Sequence, residues 1–401
     1  MNRLPKRVLM IALALNVIAV VTVTFGREEP TPPSARAVRT EETLEQVVAR
    51  LEKHLPDLMR DGHVPGLGIG LLRGGQLVWQ HGFGVKNSAT QEPVDTSTVF
   101  EAASLGKPVF AYAVLKLADQ GRFDIDKALN EYLPGNYDVG DDPRLGQITA
   151  RRVLSHTTGL PNWRELGDLK INFTPGERFS YSGEGFVYLS KVIEHVTSER
   201  CNDFMKRMVF DPVGMKSSSY VWEKSYDKLK TFRHNSRGEP GGQGKPAPDR
   251  VGLSNVASSL HTTVEDYGRF VAAILSGAGL KPETRRLMLT PQVQVREGGP
   301  RSIGRPQAKP LSDVSWGLGW GLQTTSAGLS FWHWGDNGNC KAYVVVYDKP
   351  KLGVVVFANS ANGLSIMREI VADAVGGAQP ALDWLNYKRY QSPDRVREPS
   401  D

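Results

Sequence analysis

Cysteine is almost absent from this chain: 401 residues carry only Cys201 and Cys340. Two cysteines so far apart in sequence do not make a disulfide framework. Each reads equally well as a small apolar residue, and the sequence leaves open whether they pair. The eight histidines show no His-Glu-x-x-His or similar spacing, so no metal centre and no metal hydrolase is expected. Clusters of one charge sign are also missing. The net charge is +6, but lysines and arginines are scattered, which argues against a nucleic-acid surface. Internal repeats are absent, and nothing calls for a cofactor. What remains is a globular composition, 40% hydrophobic and 23% charged, with 41 glycines.

Long apolar runs are equally scarce, with one exception. Arg3, Lys6 and Arg7 precede a run from Val8 to Phe25 interrupted only by Asn16, Thr22 and Thr24. The run has about the minimum length of a membrane span and exceeds the apolar core of an ordinary signal peptide. Residues 1–26 therefore read as an uncleaved inner-membrane anchor or a cleaved signal peptide, with Ala35-Arg36-Ala37 a distant cleavage candidate. Either way the body is exported, periplasmic or otherwise extracytoplasmic. No cysteine closely follows the run, so a lipid anchor is not supported. Residues 27–40, with Pro30, Pro32 and Pro33, read as a linker, residues 41–378 as the domain, and residues 379–401 as a tail.

Within the domain, leucines and valines at helical spacing predict a helix over 41–60. Two strands, 66–72 and 76–83, joined through Arg73-Gly-Gly predict a hairpin. From about 124 to 307 the pattern is mainly helical and loop-rich, with helices expected at 150–155, 185–197, 201–209 and 263–276. Strands return at 317–325, 329–334, 341–347 and 353–359, before a closing helix at 364–375. Strands at both ends with helices between them predict an α+β fold. One antiparallel sheet is built from both chain ends, flanked by helices, with the middle of the chain as a mainly helical insertion.

Three segments carry chemistry. Ser104-Leu-Gly-Lys107 sets a hydroxyl nucleophile and an amine at i and i+3, on one face of a starting helix. Pro108 is tolerated only near a first turn, which places the helix start close to Ser104. The serine N–H is then an unpaired donor able to hold an oxyanion. Burial would lower the lysine pKa and free its amine to take the serine proton. Tyr181-Ser182-Gly183 enters the next amphipathic helix, and its phenolate is a competent base if nearby cations lower its pKa. His333-Trp334-Gly335-Asp336 ends a strand. Gly335 allows close approach to the backbone, the Asp336 N–H is a second oxyanion donor, and His333 is placed to tune the tyrosine or bind substrate. His156 reads as structural, holding a turn.

In this order the three segments resemble the serine β-lactamase and penicillin-binding-protein superfamily, in its class C-like branch of esterases and D-peptidases. Leu154-Ser-His-Thr-Thr-Gly-Leu160 and Trp316-Gly-Leu-Gly-Trp-Gly321 add to the resemblance, which covers roughly residues 45 to 375. It implies Ser104 as the acylated nucleophile, Lys107 and Tyr181 as its bases, and the Ser104 and Asp336 N–H groups as the oxyanion hole. Two departures bear on substrate. Gly183 stands where the family has an asparagine, and His333 where it has a lysine suited to a β-lactam carboxylate. The expected substrate is a small ester, an amide or a peptidoglycan-like molecule. The alternatives are a β-lactamase or D-alanyl-D-alanine-type peptidase, and a catalytically silent binding or sensor protein of the same fold.

Overall fold

In the computed structural model, which describes residues 37–165 and 169–389, the predicted first helix is α1 (Leu44–Asp61). Thr43 opens it: the threonine hydroxyl accepts from the Gln46 N–H, and the Gln46 side chain accepts from the Thr43 N–H. Val47, Leu51, Leu55, Leu58 and Met59 form its buried stripe. The hairpin follows as β1 (Gly66–Arg73) and β2 (Gln76–Asn87). Gly74 and Gly75 take positive φ angles of 58° and 84°, which a tight two-residue hairpin turn requires.

Next come β3 (Glu92–Pro93) and β4 (Phe100–Ala103), then α2 (Gly106–Asp119). The middle of the chain holds α3 (Gly183–Thr197), β5 (Leu260–Thr262) and α4 (Val264–Ser276). The remaining strands are β6 (Val293–Arg296), β7 (Pro310–Trp316), β8 (Gly321–Thr325), β9 (Gly328–Asp336), β10 (Lys341–Tyr347) and β11 (Leu352–Ala358). Helices α5 (Met367–Ala374) and α6 (Pro380–Leu385) close the described chain.

Nine strands form one antiparallel sheet in the order β3-β2-β1-β11-β10-β9-β8-β7-β6. The two chain ends meet where β1 pairs with β11, Leu67 opposite Ala358 and Leu72 opposite Gly353. The sheet built from both ends is therefore observed. Its central strands are buried on both faces, which explains their continuous apolar runs. Alternate residues serve different cores. Tyr343, Val345 and Tyr347 pack with α1, α5 and α6, whereas Ala342, Val344 and Val346 pack with α2, α3 and α4. Helix α2 lies inside the second core and is apolar and buried nearly all round.

The 124–307 insertion, expected as mainly helical, also carries two strands: β5 pairs with β4 in a separate two-stranded sheet, and β6 is an edge of the main sheet. These strands are only three and four residues long, too short for a legible alternation. Three expectations need correction. Residues 317–320 turn between β7 and β8 rather than beginning a strand, with the Gly317 N–H donating to the Trp320 carbonyl at 2.8 Å. The last residues of the proposed linker are packed: the Arg39 N–H donates to the Val375 carbonyl at 2.9 Å and its guanidinium to the Ala372 carbonyl at 2.7 Å. Finally, the packed body runs past residue 378. Ala381, Leu382, Trp384 and Leu385 of α6 belong to the first core.

Cys201 and Cys340 are both buried and free. The apolar run 8–25 and most of the 27–40 linker lie outside the described residues. Among the described residues no helix is long and apolar enough to cross a membrane.

The packing of α6 has a measurable consequence. Trp384 is 5% exposed, donates from its indole to the Arg296 carbonyl at 2.7 Å, and meets Phe179 edge-on at 5.6 Å. Replacing it with alanine is expected to lower the unfolding free energy by about 3–5 kcal/mol. Urea titration of Trp384→Ala checks this; an unchanged midpoint would show that the segment is only a tail.

Candidate active site

Strand β4 runs directly into the serine. Its pairing with β5 slips between Glu101 and Ala103, and Ala103 takes a positive φ of 49°. An alanine in this region costs about 1–2 kcal/mol, so the surrounding structure must impose it. The bend delivers Ser104 to the mouth of α2, whose first residue is Gly106 and whose first turn holds Pro108, as the sequence predicts. Among the described residues no backbone hydrogen bond engages the Ser104 N–H, which leaves it as a donor.

Three residues after the serine, at the second position of α2, the Lys107 amine donates to the Ser104 Oγ at 3.0 Å and to the Ala257 carbonyl at 2.7 Å. The Ser104 hydroxyl also lies 3.3 Å from that carbonyl. Lys107 is fully buried, and it has no ion pair among the described residues. Burial alone therefore holds its pKa well below the ordinary 10.5. Around the amine stand the rings of Tyr181 at 4.8 Å, Phe186 at 5.7 Å and Trp163 at 5.9 Å. A neutral amine in such a setting can accept the serine proton.

Tyr181 arrives from the strand-like approach to α3. His156 holds that approach, as its structural reading requires. Its carbonyl accepts the Ser180 N–H at 2.9 Å, its Nδ1 accepts the Ser182 N–H at 3.0 Å, and its ring packs 4.2 Å from that of Tyr181. Ser182 then caps α3 by accepting the Gly185 N–H at 3.0 Å. The Tyr181 hydroxyl is buried without a hydrogen-bond partner among the described residues. Burial raises its pKa, and the Ser104 hydroxyl, acting the other way, does not offset this. Desolvation thus favours the phenol form of Tyr181, against the phenolate the sequence reading called for, and favours the neutral amine of Lys107.

The end of β9 completes the group. A Cβ on Gly335 would lie 2.4 Å from the Ala102 carbonyl, so this glycine lets β9 press against the strand leading to Ser104. The Asp336 carboxylate accepts from Lys341 at 2.5 Å and from the Tyr387 hydroxyl at 2.7 Å. His333 is brought to the same place but lies beneath it, with no exposed surface. Its Nδ1 sits 2.7 Å from the Trp334 carbonyl, and its Nε2 has no partner among the described residues. Burial, then the Lys107 charge, push its pKa down to about 3. It supplies no cation to a substrate near neutral pH.

Gly183 begins α3, and its N–H donates to the Asn162 Oδ1 at 3.0 Å. A side chain at 183 would start 2.8 Å from both the Trp163 ring and the Asn162 carbonyl. Trp163, 42% exposed, therefore fills the space that an asparagine side chain would need. It also lines a cavity of about 270 Å³ with Asn162, Arg164, Tyr181 and Arg301. Sequence reasoning missed Trp163 and the Ala257 carbonyl. The tryptophan comes three positions after Leu160 of the Thr-Thr-Gly-Leu segment, a usable signal; a backbone carbonyl leaves none. No His, Cys, Asp and Glu cluster able to hold a metal occurs among the described residues.

The Beta-lactamase family model matches residues 48–374. Penicillin-binding protein 4 of Amycolatopsis lactamdurans is 25% identical over 359 residues, covering 83% of this chain and 92% of that protein. Protein flp of Staphylococcus aureus is 23% identical over 353 residues, covering 83% of this chain but only 66% of that longer protein. Among solved structures, the octameric penicillin-binding protein homologue from Pyrococcus abyssi matches with a TM-score of 0.66 at 22% identity, covering 79% of this chain and 74% of its own. The β-lactamase/D-alanine carboxypeptidase from Pseudomonas syringae matches with a TM-score of 0.66 at 16% identity, covering 82% and 98%. These structures share the fold: a large antiparallel sheet with flanking helices.

The contact at Gly335 is directly testable. Gly335→Ala drives a methyl into the Ala102 carbonyl, a rigid backbone atom. Overpacking of this kind is expected to lower stability by about 1–3 kcal/mol. A denaturation midpoint equal to that of the wild type would show that β9 and β4 are not so closely apposed.

Proposed function

The chain belongs to the Beta-lactamase family, and from that premise we propose that it is an exported serine hydrolase that cleaves a small ester through an acyl-enzyme on Ser104. The observation that carries this reading is the buried Lys107 amine 3.0 Å from the Ser104 hydroxyl. In the proposed cycle the Ser104 Oγ attacks the substrate carbonyl carbon and its proton passes to the Lys107 Nζ. The carbonyl oxygen becomes an oxyanion, held by the N–H groups of Ser104 and Asp336. Collapse breaks the bond to the leaving group. The departing alkoxide takes a proton from the Tyr181 phenol, which recovers one from the Lys107 ammonium. Water then attacks the acyl carbon and gives a proton to the Lys107 amine; collapse breaks the bond to the Ser104 Oγ, which takes that proton back from the pair, so the acid departs and Ser104, Lys107 and Tyr181 return to their starting states.

Two features favour an ester over a β-lactam or D-peptide. Those substrates present an acyl amide and a carboxylate. Gly183 offers no side-chain amide, and the enclosed, neutral His333 offers no cation. Each unmet polar group costs a bound substrate about 1–3 kcal/mol. The second reading, a D-peptidase acting on peptidoglycan-like substrates, is favoured by the names of the relatives, among them a penicillin-binding protein and a D-alanine carboxypeptidase. Export rests on the cationic start and the apolar run 8–25. The joint presence of Ser104, Lys107 and Tyr181 in one contact group speaks against a silent binding protein.

A fluorophosphonate probe should acylate Ser104, and Ser104→Ala should abolish labelling. Lys107→Ala and Tyr181→Phe should each lower ester turnover by at least about a hundredfold. Mass spectrometry finding the adduct on another serine, or a Tyr181→Phe enzyme with near-normal turnover, would contradict these roles.

Substrate preference is checked by kcat/KM for short-chain nitrophenyl esters against a chromogenic cephalosporin and D-amino-acid amides. Esters are expected to lead. Gly183→Asn alone is expected not to raise cephalosporin turnover, because Trp163 and the Asn162 carbonyl block the new side chain. Efficient cephalosporin turnover with negligible esterase activity would overturn the ester reading.

A further inference from the structure

A buried carboxylate lies three residues before the nucleophile and takes no part in the cycle above. Glu101 on β4 is 4% exposed. Its Oε2 accepts from the Arg233 Nε at 2.9 Å and lies 3.4 Å from the fully buried Lys230 ammonium. Its Oε1 accepts from the Arg233 Nη2 at 2.8 Å and from the Asn337 Nδ2 at 2.6 Å. The Cys340 thiol stands 3.9 Å from Oε2. A carboxylate here is charged: burial opposes ionisation, but Lys230 and Arg233 prevail and hold its pKa down to about 2.

Asn337 is the informative partner. It directly follows Asp336, whose N–H is the second oxyanion donor in the proposed cycle. Its side-chain amide uses both hydrogens, one on Glu101 and one on the Ser258 carbonyl at 3.0 Å. Ser258 in turn follows Ala257, whose carbonyl holds the Lys107 amine and lies against the Ser104 hydroxyl. One amide therefore joins the strand that presents Ser104, the loop that holds Lys107, and the end of the oxyanion strand. The Asn337 N–H donates to the Cys340 carbonyl at 3.1 Å, which closes the β9–β10 turn around it.

We propose that Glu101 and Asn337 form a positioning pair that sets the distance between the Ser104 nucleophile, its lysine and the Asp336 oxyanion donor. Neither residue touches the reacting atoms. Glu101 orients the amide, and its own charge is held by Lys230 and Arg233. The inference rests on the acyl-transfer reading. A displacement of about 1 Å at such a site lowers turnover by about a hundredfold. Because the pair acts on the transition state, kcat should fall while substrate binding is retained.

The test compares wild type, Asn337→Ala and Glu101→Gln on a nitrophenyl ester, with phenylboronic acid as a tetrahedral mimic. Asn337→Ala removes the amide and leaves the ion cluster intact. Both variants are expected to keep a cooperative melting transition, lose about tenfold to a hundredfold in kcat with little change in KM, and lose boronate affinity by a similar factor. Folded variants with wild-type kcat and boronate affinity would overturn the assignment, as would a loss confined to KM. Loss of the melting transition in both would show that the pair belongs to the fold alone and would also overturn it. A wild-type chain that neither turns over ester nor is labelled at Ser104 would remove the acyl-transfer reading itself, a result distinct from these.

Discussion

The contact on which this structure depends is a lysine amine, fully enclosed, donating to a serine hydroxyl and to one backbone carbonyl. An ammonium in that position is shut away from bulk solvent and has no carboxylate partner among the described residues, so its charged form is disfavoured. The fold contributes little charge to the amine and much exclusion of solvent. Tyr181, Phe186 and Trp163 surround it with ring faces. The carboxylate nearest in sequence, Glu101, is engaged elsewhere by Lys230, Arg233 and Asn337. The same desolvation acts on each titratable neighbour. It drives His333 and His156 neutral and keeps Tyr181 protonated. Burial is the largest influence on each of these groups, with the Lys107 charge adding to it at the two histidines.

That enclosure explains the architecture around it. Helix α2 is buried on nearly all sides because it must carry Lys107 into the interior. The sheet built from both chain ends supplies a rigid wall, and β9 presses its glycine against β4 to bring a backbone edge beside Ser104. The strained φ at Ala103 and the slipped pairing of β4 with β5 are local irregularities at the same junction. Strain concentrated beside a nucleophile, with ordinary geometry in the neighbouring helix, suits a group whose position matters more than its stability.

Much of this was legible in the sequence, for identifiable reasons. The hairpin showed through its Gly-Gly turn, and β10 and β11 through apolar runs at the length of strands. Ser104 and Lys107 were readable because helical spacing alone puts i and i+3 together. Helix α6 was hidden by its length of six residues and its nearness to the chain end. Strands β5 and β6 were hidden by their shortness. In the site, the direction of the Tyr181 shift could not be read from residue types, since a cation nearby and burial pull a phenol in opposite senses. The Ala257 carbonyl carries no side-chain signature. Glu101 carried no reading in the sequence, because its meaning depends on Asn337, more than two hundred positions away.

The central claim is that burial makes Lys107 a neutral base, so the most direct measurement is the pH dependence of Ser104 acylation by a fluorophosphonate under single-turnover conditions. A base that must lose its proton gives a rate that rises with pH and levels off above its pKa. The account predicts that this limb lies well below the ordinary lysine value of 10.5 and vanishes in Lys107→Met. A limb near 10.5, or one that persists unchanged in Lys107→Met, would contradict it.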